Sequence, residues 1–408
     1  MTSLATLVYL LATVALAPFF LFMLAIVTSA LVSWATRARS AKLAGQGQSR
    51  FLIVIPAHDE EGAIGATVRS CRALDYDPEA FSIHVIADNC TDGTALEARE
   101  AGASVVERSD SDLRSKGHAL EYFFTKIPEG RPDAGHDATV LIDADTVVDP
   151  ALLKTFDRAL GEGKDWVQGY YTVRNPDASW RTRMMTYAFS LANGVWMLGL
   201  DRLGLSVGLK GNGMCFSSAG LRRVPWKAHG LVEDMEFALM LRVLGERVHF
   251  VPKARVFGEM VSKGGPGAAS QRRRWEVGRR SLRGKFAGAI AKSRALGLTA
   301  KASYLLDLFF PSLAMLALGL VAILSVHALA LADARFVPVS HNLLPAHATM
   351  VSIFAAYVTS PTVVMGLPAR YLASLLALPY YITWKIWVAL GRAPRTWVRT
   401  PRESQASR

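Results

Sequence analysis

The sequence predicts an α/β domain with a mostly parallel sheet, flanked by transmembrane α-helices. Of its 408 residues, 51% are hydrophobic and 20% are charged. The mean hydropathy is +0.23, and these values exclude disordered, collagen-like and disulfide-scaffold proteins. The apolar residues concentrate at the two ends of the chain. Between them, roughly 265 residues of ordinary composition alternate strand and helix patterns, a length that can bury its own core.

The N-terminal segment is predicted to cross a membrane. Residues 4–34 carry no charge and exceed the roughly 20 residues that a helix needs to span a bilayer. The segment has neither a basic start nor a small-residue cleavage site, so we do not expect a removed signal peptide. Arg37, Arg39 and Lys42 follow it. The positive-inside rule then places the N-terminus outside and the large domain in the cytoplasm.

The C-terminal part of the chain is predicted to contain two more spans and an interfacial helix. The spans cover 302–331 and 347–367, with a weakly charged outer loop at 333–346. Residues 371–390 interleave aromatics with Lys385, which favours a helix on the membrane surface over one that crosses it. The chain thus divides into four regions. They are an N-terminal helix with its basic flank (1–44), a cytoplasmic domain (45–295), a C-terminal transmembrane region (296–390) and a basic cytoplasmic tail (391–408).

Cysteines and charges add two less specific indications. Cys71, Cys90 and Cys215 lack metal-binding spacing and are expected to be reduced thiols. The net charge of +12 comes from 46 basic and 34 acidic residues, and the stretch 253–294 is strongly basic. This stretch fits a cytoplasmic surface against anionic lipid. A nucleic-acid surface is the alternative.

Strand and helix patterns alternate in the central domain. The predicted strands lie at 51–56, 81–87, 104–107 and 138–142, and the predicted helices at 64–74, 95–101 and 116–125. This alternation predicts parallel strands with helices on both faces, and such sheets bind ligands beyond the carboxyl ends of their strands. Polar clusters follow three of the strands: 58–61, 88–89 and 143–145. Dinucleotide-binding, P-loop and serine-hydrolase motifs are absent from the sequence.

Asp143 and Asp145 stand where the fourth predicted strand ends. Side chains at i and i+2 of an extended chain share a face, so both carboxylates can reach one ligand. Two carboxylates without a soft ligand suit Mg²⁺ or Mn²⁺, which also bind phosphate oxygens. The alternative is a solvated turn ahead of a helix that begins near Asp149.

Two further motifs lie in helical patterns. Glu233 and Asp234 open one such segment; they suit a general base at a rigid helix start, or acids favoured by the helix dipole. Gln271, Arg274 and Trp275 fall on one helical face. They could bind a diphosphate and stack on a sugar. The alternative for this segment is a basic amphipathic helix on a membrane surface, which does not require the glutamine and the tryptophan.

Taken in order, these motifs resemble those of membrane-embedded family 2 glycosyltransferases, which have a GT-A, Rossmann-like fold. Relatives in that family include cellulose, chitin and hyaluronan synthases and ceramide glucosyltransferases. The motifs are IVIPAHDE, ADNCTD, SKGHAL, DAD, VED and QRRRW. The C-terminal PYYITWKIWVALGR and WVRTPR are similar to the tail of bacterial exopolysaccharide members, which implies a location in the inner membrane.

The resemblance implies a nucleotide pocket made by residues that follow the strands. Pro56, His58 and Glu60 would line this pocket, with Asp88 near the uracil and Lys116 near the nucleotide. The chain departs from the family in having asparagine at position 89, where many relatives have a second aspartate. Residues 210–215 replace the acceptor loop of cellulose synthases, so that acceptor does not carry over.

The resemblance also implies the catalytic groups. Asp143 would contact the nucleotide or the donor sugar, and Asp145 would hold the metal, Mg²⁺ or Mn²⁺, on the diphosphate. Asp234 would be the catalytic base, with Glu233 as its neighbour. The residues expected to hold the diphosphate and shape the acceptor entrance are Gln271, Arg274 and Trp275.

The expected function is therefore transfer of a sugar, with inversion, from a nucleotide-diphosphate sugar such as a UDP-sugar. The acceptor would be lipid-linked or a growing polysaccharide at the cytoplasmic membrane face. Three spans are few for a polymer channel, which favours a lipid-linked acceptor or a synthase that needs a synthase or export partner. Membrane lipid is a further expected partner, and nucleic acid is not. The alternatives are a non-catalytic nucleotide-sugar-binding subunit and a nucleic-acid binder.

Overall fold

The computed structural model describes residues 2–36, 48–260, 266–331, 337–377 and 383. Its centre is a mixed sheet of eight strands in the order β3-β2-β1-β4-β7-β6-β8-β5. In chain order the strands are β1 Phe51–Ala57, β2 Phe81–Asp88, β3 Ser104–Arg108, β4 Ala138–Leu141, β5 Thr146–Val148, β6 Trp166–Val173, β7 Met214–Ser217 and β8 Val248–Gly258. The α/β class predicted from the sequence is confirmed.

The sheet is parallel over the half that was predicted. Strands β3, β2, β1 and β4 are parallel neighbours, and Phe51 is paired with both Phe81 and Ala138. The carboxyl ends of β1, β2 and β4 therefore lie along one edge of the sheet, as the sequence predicted. Strand β7 is antiparallel to β4 and β6, β6 is parallel to β8, and β5 is antiparallel to β8.

Thirteen α-helices are described in residues 2–364, outside the gaps in that range. They are α1 Thr2–Thr36, α2 Ile64–Arg72, α3 Thr94–Glu100, α4 Lys116–Lys126, α5 Leu152–Gly161, α6 Trp180–Phe189, α7 Trp196–Arg202, α8 Ser218–Arg223, α9 Glu233–Val243, α10 Pro266–Lys292, α11 Leu298–Phe309, α12 Leu313–Leu331 and α13 Val337–Val364. A π-helical turn, Ser190–Val195, joins α6 to α7.

Two apolar clusters hold these helices on the sheet. The first includes Val68, Ala98 and Phe156, and so packs α2, α3 and α5 on one face. The second cluster covers the other face, includes Phe123 of α4 and Phe237 of α9, and extends into α1, α11, α12 and α13. The apolar helices therefore share a core with the sheet domain.

Two helices are long and apolar enough to cross a membrane, Tyr9–Thr36 and His341–Val364. A third candidate is the pair Leu298–Phe309 and Leu313–Leu329, which is bent by 86°. The sequence predicted a span at 302–331; the structure divides this stretch into two helices, and the bent pair is long and apolar enough to be one broken span. Pro311 explains the break, because the residue before a proline is pushed out of the helical region, and Phe310 has a ψ of 125°.

Two further predictions for the C-terminal part of the chain can be compared with the structure. Residues 337–346, expected in an outer loop, belong to α13. The predicted interfacial helix at 371–390 overlaps a 3₁₀ helix at Ala369–Ala377. Apart from residue 383, the remainder of that segment and the basic tail lie outside the described residues.

A buried polar cluster joins the helices α1, α12 and α13. The hydroxyl of Tyr9 lies 2.9 Å from Nδ1 of His327 and 3.2 Å from Nδ1 of His347. The hydroxyl of Thr13 lies 3.1 Å from Nε2 of His347. Polar side chains that meet between apolar helices in this way link the helices through hydrogen bonds.

Helix α1 also packs closely on the sheet domain. A Cβ built on Gly199 of α7 would lie only 2.4 Å from the carbonyl oxygen of Ile26 in α1. Phe22 of α1 contacts Trp196 edge to face, with ring centroids 5.6 Å apart. The two helices can approach this closely because position 199 has no side chain.

Candidate active site

Lys116 brings together several of the residues predicted to form the site. It is the first residue of α4, whose N-cap Ser115 accepts a hydrogen bond from the backbone N–H of His118. Its ammonium donates to Oδ1 of Asp143 and, over 2.7 Å, to the carbonyl oxygen of Gly211. Oε1 of Glu233 lies 4.0 Å away. Burial disfavours the charge, but Asp143 and Glu233 outweigh it, so the pKa of Lys116 lies above its usual value.

Glu233 and Asp234 form the first turn of α9. The turn is favourable for acids because the N-terminus of a helix carries partial positive charge. Burial raises the pKa of Glu233 to about 7, against the opposing effect of Lys116 and with a further contribution from Asp234. Burial also raises the pKa of Asp234, while the Met235 backbone N–H and Lys116 oppose the shift. A carboxyl group that titrates near neutral pH is suited to general acid or base chemistry.

The loop before β7 places Gly211 between the two charged groups. Its φ is +75°, a conformation that side chains with a Cβ rarely adopt. A Cβ at this position would lie 3.4 Å from Oδ2 of Asp234 and 3.6 Å from Nζ of Lys116. The loop backbone therefore accepts a hydrogen bond from the ammonium and leaves little room for a larger residue beside the expected base.

Asn212 fixes the same loop to the turn after β4. Its Oδ1 accepts from the backbone N–H of Asp143 over 3.2 Å, and its Nδ2 donates to the hydroxyl of Thr146 over 2.8 Å. Gln168 of β6 continues the network: its Nε2 donates to the carbonyl oxygen of Asn212, and its Oε1 accepts from the N–H of Lys210, both over 2.8 Å. Asn212 and Gln168 are both fully buried.

Asp143 and Asp145 lie on this turn, where the sequence placed them. Asp145 is partly buried and Asp143 pairs with Lys116. An all-oxygen pair of this kind suits Mg²⁺ or Mn²⁺ that is shared with substrate phosphates, because Mg²⁺ is commonly held by one or two protein carboxylates. Within the described residues, the set of three metal-ligating side chains that lie close together is a different one, Asp59, Cys90 and Asp92.

The residues predicted for the nucleotide pocket follow β1 and β2. Pro56 lies within β1. His58 donates from Nδ1 to the carbonyl oxygen of Asp88 over 2.7 Å, which ties the two strand ends together. The N–H of Glu60 donates to the hydroxyl of Thr94, and the Glu60 carbonyl oxygen accepts from Ile64 at the start of α2. These residues line one edge of the sheet.

Asp88 forms an ion pair that the sequence did not predict. Its Oδ1 accepts from Nη1 of Arg108 over 2.5 Å and from Nδ2 of Asn89 over 3.1 Å. Arg108 also donates to Oδ2 of Asp110 and to the carbonyl oxygen of Leu113, each over 3.0 Å. Asn89 has a φ of 53°, a region where asparagine is several-fold enriched.

The backbones of Gln271, Arg274 and Trp275 lie in α10, as predicted. Their side chains lie outside the described part of the structure. The remainder of α10 is held next to the site, since Lys285 pairs with Glu236 of α9. Glu236 also accepts from the N–H of Gly230 over 2.9 Å.

The sequence pointed to most of the site but not to the groups that position it. Arg108, Gln168 and Asn212 were not predicted as site residues. The signal for the loop was present in Gly211 and Gly213, which flank Asn212 and both have positive φ angles. No comparable local pattern marks Arg108 or Gln168.

The comparisons with known proteins identify a family for this chain. The sequence model of the family "Glycosyltransferase like family 2" matches residues 49–278, more than half of the chain. None of the curated proteins compared with the chain matches it.

Several solved structures match the chain. A mannosyltransferase from Pyrobaculum calidifontis, in complex with GDP-Man and Mn²⁺, has 15% identity and a TM-score of 0.52, covering 88% of this chain and 98% of its own. S. aureus TarS 1-349 in complex with UDP-GlcNAc has 15% identity and a TM-score of 0.42, with coverage of 79% and 93%. Glucosyl-3-phosphoglycerate synthase from Mycobacterium tuberculosis, in complex with Mg²⁺ and UDP, has 20% identity and a TM-score of 0.39, with coverage of 58% and 80%.

Of these three structures, the archaeal mannosyltransferase alone exceeds a TM-score of 0.5, and at 15% identity it indicates a shared fold. The mixed eight-stranded sheet and the family match together confirm the expected GT-A-like architecture. The chain belongs to the glycosyltransferase-like family 2.

Proposed function

We propose that this glycosyltransferase transfers a sugar, with inversion, from a nucleoside-diphosphate sugar to an acceptor hydroxyl at a membrane surface. One observation carries the proposal. The carboxylates of Asp143, Glu233 and Asp234 converge around Lys116 at the edge of the sheet where ligands of parallel sheets bind. Partly buried carboxyl groups with raised pKa values, such as Glu233 and Asp234, next to a partly buried cation are typical of catalytic sites.

The residues would divide the reaction between them. The carboxylate of Asp234 accepts the proton of the acceptor hydroxyl, and the hydroxyl oxygen attacks C1 of the donor sugar. The bond from C1 to the diphosphate oxygen breaks on the opposite face, so the configuration at C1 inverts. Lys116 is paired with Asp143, which would contact the donor, so its ammonium would also stabilise the negative charge of the departing diphosphate. Such an electrostatic effect contributes several kcal/mol in comparable sites. Gln271, Arg274 and Trp275 would hold that diphosphate.

Asp145, together with Asp143, would hold Mg²⁺ or Mn²⁺ against the diphosphate. The donor set fits such an ion, because hard cations prefer carboxylate and phosphate oxygens. When bound, the metal would offset the charge that develops on the leaving group. The fold shared with the mannosyltransferase crystallised with GDP-Man and Mn²⁺ supports this assignment.

We further propose that the domain works on the cytoplasmic side of the inner membrane, as part of a multi-pass protein. The apolar helices share the second apolar cluster with α4 and α9, which carry Lys116 and Asp234. An acceptor anchored in lipid could therefore reach the site without leaving the membrane surface. A lipid-linked acceptor is our first proposal, and a growing polysaccharide made with a partner subunit is the second.

The test is metal-dependent release of nucleoside diphosphate by the full-length protein in native membranes. A panel of UDP-sugars and GDP-mannose would be offered with lipid extract. Asp234→Asn should abolish release while nucleotide binding persists. The matched control is Asp133→Asn, which changes an exposed aspartate with only an exposed arginine beside it and should behave as the parent.

Release that survives Asp234→Asn would overturn the assigned base. Release that survives a chelator would overturn the proposed metal. Labelled product length in single-turnover experiments would separate the acceptors, since a ladder of long products would contradict single addition to a lipid. If no donor bound and none were consumed, the transferase proposal itself would be wrong.

A further inference from the structure

Lys210 is a charged residue beside the site that the proposed reaction does not yet use. It precedes Gly211, whose carbonyl oxygen accepts from Lys116. Its own backbone N–H donates to Oε1 of Gln168 over 2.8 Å. Because Gln168 is fully buried and its amide is bonded on both sides, the backbone at position 210 is fixed relative to the expected base.

The ammonium of Lys210 is partly buried and has no hydrogen bond or salt bridge to any residue in the described part of the chain. Burial lowers the pKa of Lys210, and Arg279 lowers it further, while Asp234 opposes the shift. Lysines are rarely buried unless they are paired. A partly buried ammonium that lacks a bonded anion among the described residues is placed to bind an anion from outside the protein.

The charges around Lys210 indicate the side from which that anion would come. Its charged neighbours are Asp234, Asp307, Arg242 and Arg279. Asp307 belongs to α11, the first half of the bent apolar pair. The loop that carries Lys210 is bound to α11 at Ser206, whose N–H donates to the hydroxyl of Tyr304 over 2.9 Å, and it reaches Asp234 at Gly211. Lys210 therefore lies in the loop between Asp234 and the apolar helix α11, on the flank of the site that faces the apolar helices.

The neighbouring acid does not neutralise Lys210. Asp307 is already bound by Nη1 of Arg242 over 2.7 Å and by Nε1 of Trp196 over 2.9 Å. Arg242 and Arg279 add positive charge to the same region. Because Arg242 offsets Asp307, the acid that remains beside Lys210 among these neighbours is Asp234, the carboxylate that would activate the acceptor.

We propose that Lys210 binds an oxyanion in the head group of a lipid acceptor while the hydroxyl of that acceptor lies at Asp234. The inference rests on the proposed transferase function and names the chemical class of its acceptor, an anionic lipid. A charged hydrogen bond of this kind orients the head group as well as holding it. Phosphate and carboxylate head groups share this chemistry.

The first experiment separates lipid acceptors by charge. Membrane lipids would be divided by anion exchange into neutral and acidic fractions, and each would be offered to the full-length protein in uncharged-lipid nanodiscs with labelled donor. We expect most of the labelled lipid product to form from the acidic fraction. Phosphatase treatment of that fraction would remove the product if the oxyanion is a terminal phosphate and leave it if the oxyanion is a carboxylate. A preference for the neutral fraction would overturn the inference.

The second experiment removes the charge. Lys210→Gln should lower kcat/KM for the acidic acceptor by roughly 10- to 100-fold, the loss expected for a hydrogen bond to a charged group. It should affect donor KM and donor hydrolysis by water far less. Lys210→Arg should recover much of the acceptor affinity. Lys227→Gln changes an exposed lysine and is the matched control.

The outcomes distinguish this inference from the proposed function. If Lys210→Gln raised donor KM as much as acceptor KM, Lys210 would serve the donor diphosphate and the inference would be wrong. An unchanged acceptor KM would also overturn it. Nucleotide release without any preference for acidic lipid would leave the transferase function standing and remove the inference alone. Absence of release with every donor would remove both.

Discussion

Arg108 donates from Nη1 to Oδ1 of Asp88, so the carboxylate expected beside the nucleobase has a buried cation on one of its two oxygens. The side chains are 4% and 11% exposed. The same guanidinium is held by Asp110 and by the carbonyl oxygen of Leu113. Asp88 is thereby fixed in orientation, and its remaining oxygen is the one available to a ligand.

Arg108→Met should therefore weaken both the fold and nucleotide binding. It leaves a buried carboxylate without its cation, which typically costs about 3–5 kcal/mol of unfolding free energy. Thermal unfolding and calorimetric titration with UDP and GDP would measure the two effects. Arg99→Met is the control, because Arg99 and Glu107 form an exposed pair worth about 1 kcal/mol or less. Equal losses in the two variants would contradict the role given to Arg108.

The pH dependence of turnover should reflect the carboxyl pair at the start of α9. Burial raises the pKa of Glu233 to about 7, and Asp234 titrates together with it. We expect kcat/KM to rise as the pH increases through about 7, because the pair must lose its proton before Asp234 can accept one from the acceptor. Glu233→Gln should move this rise to lower pH. A profile that Glu233→Gln leaves unchanged would assign the rise to another group.

The same group has a predictable effect on stability. The pKa of Glu233 in the folded protein lies above its ordinary value of 4.5, so the folded state binds the proton more tightly than the unfolded state. The stability that this raised pKa of Glu233 contributes is fully present below about pH 4.5 and is lost as the pH rises through about 7. Unfolding measured across this range should therefore be less pH-dependent in Glu233→Gln than in the parent.

Gly211→Ala should reduce activity because its new methyl group would enter the site, and not only because the backbone is strained. The new methyl group would lie beside the Asp234 carboxylate and the Lys116 ammonium, where it would exclude substrate. Gly204→Ala is a closely matched control, since its φ is +78° and a Cβ there would have no neighbour within 4 Å. Both variants should lose about 1–2 kcal/mol of stability from the left-handed backbone, but we expect a large loss of kcat/KM in Gly211→Ala alone.

The ion pair between Arg242 and Asp307 should be important for stability. It connects α9 to α11, with Arg242 only 4% exposed and Asp307 19% exposed. Asp307→Asn would leave Arg242 buried without its anion and should lower the unfolding free energy by about 3–5 kcal/mol. Asp177→Asn is the control, because Asp177 pairs with exposed arginines. Thermal unfolding in the same detergent would compare them, and similar midpoints would contradict the prediction.

The parallel half of the sheet was predictable because each strand has a clear local pattern. β1, β2 and β4 are short apolar runs ended by polar residues, and the structure places their ends within about two residues of the prediction. Strands β5 to β8 were not predicted. β7 is a run of four residues without periodicity, and such a run becomes a strand through its antiparallel partners β4 and β6.

The candidate site was predictable at the residues that follow strands or begin helices. Lys116, Asp143 and Asp234 lie close together because the topology brings those chain positions to one edge. The residues that orient them were not predictable, because Gln168 and Arg108 act through partners far away in the sequence. The break at Pro311, in contrast, had a local signal in the proline itself. The continuous hydropathy of residues 302–331 nevertheless led to the prediction of a single span.

The core shared by the apolar helices and the sheet has a consequence for the synthesis of the chain. The cluster contains Phe20 and Ile26 from the first helix and Tyr357 and Val364 from the last one. During translation, α1 leaves the ribosome before the α-helices that pack closely on it: α7 follows first, and Tyr357 and Val364 of α13 follow more than three hundred residues after Ile26. The cluster cannot close until α13 has been synthesised, so part of its apolar surface stays exposed until then. Membrane lipid or a chaperone would have to cover that surface in the meantime.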